Sequence, residues 1–357
     1  MRIAIFRDGP WLPAKEGGSF GVNQMIRALM RKRIEIILVR CYRGWDDIQL
    51  YKKEPYTTIL LREEDFYGRA EFVADLLAKN NVDVAHFDSP EILEVYCNIL
   101  HNVNIPVVWE IHNIHSDLSA QLGFDKKKIS ALKSRERHVS IISDAILCRS
   151  RHDLNRLLAI SSAPKSKFHI YRGCIETNQF KNVWPNYEGK RLITFGNFYY
   201  EPNKRMLLAA SKIMKELDRE IVLDVVGDIP NDLKKKISAS NVIVHGFILD
   251  ITKILKNDAL LIAPLDSGSG TRVKILVAMA SGIPVITTKK GAEGLECENK
   301  IVISNRVDDY PKLIMKILGN KRLYEKLSNE GRKSVQDEYD WSDNIDKVIK
   351  AYKSVAR

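Results

Sequence analysis

Residues 265–296 read LDSGSGTRVKILVAMASGIPVITTKKGAEGLE. The run that leads into them, ALLIAPL (259–265), has the length and apolarity of a buried strand. The turn DSGSG then opens into a helical stretch, TRVKILVAMAS, which Gly282 stops before Pro284 starts the next apolar run, PVITT. Strand, loop, helix and strand in that order form the repeating unit of a parallel α/β sheet. Arg272 and Lys274 fall in the first turn of this helix, where each cation opposes the helix dipole at a cost of about 0.3–1 kcal/mol. An anion reverses the sign of that conflict. Backbone N–H groups at the helix start, close approach over Gly268 and Gly270, the fork of Arg272 and the ammonium of Lys274 together suit a diphosphate. The competing reading is a plain βαβ turn with solvated cations. The spacing matches neither a P-loop nor a dinucleotide fingerprint.

The same alternation extends in both directions. Towards the N-terminus, RIAIF, IEIILV, VDVAHF, PVVWEI, DAILC and FHIYR read as strands, with amphipathic stretches such as SFGVNQMIRALMRK and RAEFVADLLAKN between them. The polar segment NQFKNVWPNYEGK (178–190) reads as a linker. After it the pattern restarts with RLITFG, EIVLDVVG, NVIVHGF, the ALLIAPL and PVITT runs, and KIVIS. From Lys321 to Ala356 the pattern is helical, broken near YDWSD, where Asp340 or Ser342 is placed to cap the last helix. The expected fold is α/β, with two doubly wound, Rossmann-like domains facing across a cleft, and a ligand at their carboxyl-end loops.

Composition narrows the partners. At 357 residues the chain is too long for one ordinary core. The first residues, MRIAIFRDGP, lack the apolar core of a signal peptide, and no stretch approaches the roughly 20 apolar residues of a spanning helix. Five cysteines scattered singly argue against a disulfide frame or a zinc site. A cytoplasmic protein is expected. The net charge of +11 points to an anionic partner, yet no nucleic-acid-binding signature accompanies it. The basic runs Arg31–Arg33 and Lys126–Arg137 are either solvated helix faces or a peripheral contact with the inner face of an anionic membrane.

In their order along the chain these pieces resemble the GT-B glycosyltransferases of the retaining family-4 type (glycosyl transferases group 1). KEGGSFGVNQMIRALM resembles the family's N-terminal glycine loop, WEIHNIHS the strand end that presents a histidine, and ITFGNFYYEPNKRML the opening of the second domain. GSGTRVKIL, with MASGIPVITT and GAEGL after it, resembles the donor-site segment. The resemblance covers nearly the whole chain. It implies transfer of a sugar from a UDP- or GDP-linked donor to a glycan, a lipid-linked glycan or a small molecule, with retention, without a cofactor and without a required metal. It implies an acceptor-side domain over 1–178, a linker over 179–190, a nucleotide-sugar domain over 191–339, and a last helix over 340–357 that crosses back to the first domain. Gly268, Ser269, Gly270, Thr271, Arg272 and Lys274 would hold the diphosphate, and His112 would face the transferred sugar. Gly17 and Gly18 would form a donor or acceptor loop. Asn197, Lys204, Gly246, Phe247 and Glu293 are candidates on the nucleotide side. No Asp-x-Asp pair is present to hold a divalent ion against a diphosphate.

The chain departs from the family at the pair of glutamates around the donor helix. Ser269 stands at the earlier position and Val277 at the later one, which usually grips the ribose. Losing that contact would cost on the order of 1–3 kcal/mol of donor affinity. The basic residue after the second domain's first strand is replaced by Asn197, with Lys204 the nearest downstream cation. Either Glu293 substitutes for the lost carboxylate or it caps a helix. A catalytically degenerate partner or glycan-binding subunit is the alternative to an active enzyme. Glu176 and Asp266 are further acidic candidates.

Overall fold

The structure, a computed structural model, describes residues 1–9, 11–14, 17–42, 44, 48–237 and 240–356. Seven strands form the first sheet: β1 (Arg2–Arg7), β2 (Glu35–Tyr42), β3 (Thr57–Arg62), β4 (Val84–Phe87), β5 (Val107–Ile111), β6 (Ala145–Cys148) and β7 (Phe168–Ile170), in the order β3-β2-β1-β4-β5-β6-β7. The second sheet holds β8 (Arg191–Phe195), β9 (Val222–Val226), β10 (Val242–Gly246), β11 (Leu260–Ala263), β12 (Val285–Thr287) and β13 (Val302–Ile303), in the order β10-β9-β8-β11-β12-β13. All the pairings are parallel. Each strand order reverses once, between β1 and β4 and between β8 and β11, and such a reversal opens a crevice at the carboxyl ends. The α/β class with two Rossmann-like sheets therefore stands.

Sequence dictates this arrangement through strands that are apolar on both sides. In β1, Ala4 and Phe6 enter one buried cluster while Ile3 and Ile5 enter the cluster on the opposite face, as the two-residue period of a strand requires. Leu260 to Ala263 of β11 are all fully buried. β3 is the strand that the sequence pattern did not reveal. It lies at the sheet edge, and its residues are only partly buried.

The last helix, Trp341–Lys353, packs on the helix Gly17–Arg31 and on β6 and β7, and puts Trp341, Ile345, Val348 and Tyr352 into the core of the first sheet. Asp340 caps it, accepting from the Ser342 N–H at 2.8 Å. The segment read as a linker is packed, with Phe180 and Val183 buried and 3-10 turns at Thr177–Gln179 and Tyr187–Gly189. Among the described residues no helix is long and apolar enough to cross a membrane.

Candidate functional site

The donor-type segment forms as a helix over Val273–Ala280, two residues shorter at its start than its pattern suggests. Arg272 is the residue before the helix, with φ −84° and ψ 80°. It therefore lies outside the first turn, and its guanidinium folds back onto the loop. Nη1 donates to the carbonyls of Ser269 and of Gly270 (2.8 Å), Nη2 donates to that of Lys290 (3.4 Å), and Nε is buried without a partner. Lys274 reaches in the other direction, donating to Asn203 Oδ1 (2.7 Å) and approaching Met206 Sδ (3.4 Å). Asn203 also donates to the Asn197 carbonyl at 2.8 Å, so it ties Lys274 to the turn after β8. Burial, together with the charge of Arg272, pushes the Lys274 ammonium down to about 7. Burial lowers Arg272 as well. Neither cation has an ion-paired carboxylate among the described residues.

The loop before the helix is pressed against the first domain. Ser269 Oγ accepts from the Ile114 N–H at 2.9 Å, and the Gly268 N–H donates to Gln121 Oε1 at 2.9 Å. Those two groups, expected to face a diphosphate, are spent on holding the domains together. Gly270 has φ +73°, and a Cβ there would lie 2.0 Å from the His112 carbonyl oxygen, so only glycine fits. Thr271 Oγ1 is buried without a partner, against Gly173.

Gly17 and Gly18 do not form a loop. They are the first residues of the helix Gly17–Arg31, and their missing side chains allow close approach. A Cβ on Gly18 would lie 3.4 Å from an Arg7 guanidinium nitrogen and 3.7 Å from His112 Nδ1, and one on Gly17 would lie 3.9 Å from Val273. The structure thus brings Gly18 and Gly270 to His112, and Gly17 to Val273, the residue between Arg272 and Lys274. Lys15 and Glu16, which precede the glycines, lie outside the described residues.

Other candidates fall elsewhere. Lys204 is taken up by Glu201 at 3.5 Å. Asn197 Oδ1 accepts from the Tyr199 N–H at 2.9 Å. Gly246 ends β10 with φ +71° and its carbonyl accepts from the Gly227 N–H at 2.7 Å, which puts it and Phe247 at the same end of the second sheet. Glu293 follows the short helix Lys289–Ala292 as its C-terminal cap residue, while Thr288 Oγ1 caps the other end by accepting from the Gly291 N–H. The Glu293 carboxylate pairs with Lys290 (2.6 Å) and His152 (3.3 Å) in a cleft of about 290 Å³ between the domains, near Asp117, Gln121 and Arg156. Glu176 pairs with Arg31 and Asp266 with Arg205. Val277 is buried in the second core and offers no polar group.

Glu110, which the sequence reading passed over, is the most heavily engaged side chain near His112. It is fully buried, with Oε1 accepting from Arg149 (Nε at 2.8 Å) and from the Tyr171 hydroxyl, and Oε2 resting on His112 Nε2 and His86 Nε2, each at 3.0 Å. Burial works against its charge, but Arg149 and the hydrogen bonds from His112 and His86 hold its carboxyl well below the usual range. Burial and the Arg149 charge push His112 down to about 4, against the pull of Glu110, so the ring is neutral at pH 7. A signal for Glu110 exists in the sequence. It is a charge inside an apolar strand, two residues before His112 and hence on the same strand face.

Residues 189–320 match the family model described as "Glycosyl transferases group 1". That segment resembles a group 1 glycosyltransferase domain. It contains β8 to β13 and both cations, and the match there, together with the GT-B architecture shared with solved glycosyltransferases, supports an enzyme of the glycosyltransferase class. Three solved structures share the whole fold. A glycosyltransferase from Rickettsia africae ESF-5 is 16% identical with a TM-score of 0.77, over 99% of this chain and 98% of that one. Anabaena HepE, solved in complex with UDP-glucose, is 13% identical with a TM-score of 0.78, over 99% and 100%. Sucrose-phosphate synthase from Thermosynechococcus elongatus is 15% identical with a TM-score of 0.79, over 99% and 98%. No curated protein sequence matches the chain.

Proposed function

We propose that the chain transfers a sugar from a nucleoside-diphosphate donor to an acceptor hydroxyl, with retention and without a metal. The observation that carries this reading is the pair Arg272, buried, and Lys274, half-buried, two adjoining cations with no ion-paired carboxylate among the described residues, Glu293 and Asp153 acting on Arg272 only from a distance. Buried charge is costly unless paired, and a diphosphate at the start of the helix Val273–Ala280 is the partner that balances both. The cations and the helix dipole would stabilise the charge that develops on the leaving diphosphate, which is preorganised electrostatic catalysis. The N–H groups of Ser269, Gly270 and Thr271 would contribute, and Gly268, whose N–H is spent on Gln121, would supply close approach. His112, across from Gly270, would contact the transferred sugar, with Gly17 and Gly18 allowing the donor close to it. The turn after β8 and the Gly246–Phe247 end of β10 would receive the nucleoside.

The solved relatives support a nucleotide-sugar donor, since HepE was captured with UDP and with UDP-glucose. The first domain would take the acceptor. Its basic helix Lys126–Ile142, preceded by the exposed Phe124, would give the protein a peripheral footing on an anionic cytoplasmic membrane face. The buried, apolar Val277 favours one second reading, a glycan-binding partner subunit that retains the fold and has lost donor turnover.

A thermal-shift titration with UDP, GDP, ADP and CMP separates the two readings, because a ligand that binds only the native state must raise its melting temperature. A selective rise with one diphosphate, abolished in Arg272→Ala, is the expected result and names the base. No rise with any of them would leave the partner-subunit reading standing.

A further inference from the structure

The two oxygens of the buried Glu110 carboxylate have different kinds of partner. Oε1 takes the guanidinium of Arg149 (Nε 2.8 Å, Nη2 2.7 Å) and the Tyr171 hydroxyl, whereas Oε2 takes only imidazole nitrogens, Nε2 of His86 and Nε2 of His112. An ionised carboxylate can only accept, so a neutral imidazole nitrogen resting on it must carry the ring's proton. His86 obeys this at both ends, because its Nδ1 lies 2.8 Å from the Tyr352 hydroxyl, which has a proton to give. At His112 a second contact competes, with Arg149 Nη2 lying 2.7 Å from the same Nε2. An Nδ1–H ring could accept there from the second N–H of Nη2, but it would aim the Nε2 lone pair at an ionised oxygen 3.0 Å away, whereas an Nε2–H ring gives its proton to Oε2 and leaves Arg149 its bonds to Oε1. The carboxylate therefore decides where the proton sits. With one proton, on Nε2, the other nitrogen is left bare. Nδ1 lies beside the start of the helix Gly17–Arg31, where a Cβ on Gly18 would stand 3.7 Å from it and 3.4 Å from an Arg7 guanidinium nitrogen, so the missing side chain keeps room next to both groups.

We propose that Glu110 is a positioning residue that locks His112 as the Nε2–H tautomer, so that Nδ1 offers a lone pair, never a proton, to a hydroxyl of the transferred sugar. This rests on the transfer reading given above. It makes a statement about specificity: the sugar must present an O–H at that point, and a donor with fluorine in place of that hydroxyl, which accepts but cannot donate, is rejected as firmly as the deoxy sugar. Tyr352 and His86 continue the hydrogen-bonded chain from Glu110 to the last helix.

The test is a long-range 15N–1H spectrum of the full chain labelled at histidine, with His112→Ala assigning the signals. The expected wild-type result near pH 7 is a protonated Nε2 and a bare Nδ1 on His112. In Glu110→Gln the amide oxygen turns to Arg149 and Tyr171, and the NH2 faces the two histidines. His112 should then invert to Nδ1–H, with donor kcat/KM falling roughly ten- to a hundredfold, the size of one lost hydrogen bond to a buried group. A wild-type ring protonated on Nδ1, or a folded Glu110→Gln variant whose tautomer does not change, overturns the proposal. If that variant fails to fold, the wild-type spectrum still decides. Failure of the transfer reading looks different: no nucleoside diphosphate shifts the melting temperature, and the sugar is then lost as the recipient even where the tautomer is as stated.

Discussion

Around Glu110 one buried carboxylate meets a guanidinium, two imidazoles and a phenol, whereas around Arg272 and Lys274 the two cations are hydrogen-bonded, among the described residues, to carbonyls, an amide and a thioether. Both clusters lie at carboxyl ends of their sheets, and they approach each other where Gly270 touches the His112 carbonyl. The first is balanced from within the chain, and its energy goes into fixing the geometry of one histidine. The second is left unbalanced, and the missing charge is what a ligand brings. A protein can place charge in its interior for either purpose, and the count of internal partners tells them apart.

Removing one charge from each cluster should therefore act in opposite directions. Glu110→Ala strands Arg149 without its counter-charge and should cost about 3–5 kcal/mol, read by chemical denaturation of the ligand-free protein; an unchanged midpoint would break the comparison on its balanced side. Arg272→Ala should weaken binding of the preferred nucleoside diphosphate by about a hundredfold or more, since charge-assisted hydrogen bonds contribute about 1.5–3 kcal/mol each. Calorimetric titration measures it, and wild-type affinity in the variant would put the ligand elsewhere.

Lys274→Met is the mirror image of Glu110→Ala. It relieves a desolvated cation and should stabilise the ligand-free protein by about 1 kcal/mol, which is roughly 2–4 °C in a domain of this size, while reducing the diphosphate-induced shift. A drop in the ligand-free melting temperature would show that Lys274 is balanced after all.

The pH dependence sharpens the same point. The Lys274 ammonium is depressed to about 7 in the folded protein, and in the unfolded chain it returns to the ordinary lysine range. Between those values the unfolded state binds the extra proton, so the ligand-free protein gains stability as pH rises from 7 towards 10. Diphosphate affinity runs the other way and falls over the same interval, because the anion needs the charged amine. Melting curves with and without the diphosphate should converge as pH rises, and curves that stay parallel would refute the assignment. An effect as small as that of Lys274→Met but of opposite sign is expected for Ser269→Ala, which leaves the Ile114 N–H without its acceptor and should cost about 1 kcal/mol, seen as a slight fall in melting temperature.

Sequence and structure agree most closely where the chemistry is local. Buried parallel strands declare themselves as short apolar runs, so ALLIAPL and PVITT could be placed without coordinates. Gly282 and Pro284 mark the end of the donor helix because helix termination depends on a few neighbouring residues. β3 escaped because an edge strand is only half covered and TTILLR carries no full apolar run. Arg272 and Lys274 were legible as a conflict with the helix dipole. Their orientation was not, since it depends on Asn203 and on carbonyls of the loop. Glu110 stood in plain view beside His112, but its meaning comes from Arg149, Tyr171 and His86, which are brought to it by three other strand ends. Contacts such as Ser269 with Ile114 join residues 155 positions apart, and no periodicity reports on them.

The packing of Trp341–Lys353 onto the first sheet means that the backbone passes between the two domains twice, once through the segment before β8 and once at Asp340. The two crossings are stitched together: Ile175 bridges to Asp340, and the Asp340 carboxylate accepts from the Thr177 N–H at 3.0 Å and from its hydroxyl. Two covalent straps fastened side by side define a hinge line. Any relative motion of the two domains has to be absorbed at these two adjacent crossings, so the approach of Gly270 to the His112 carbonyl is constrained by two connections rather than one.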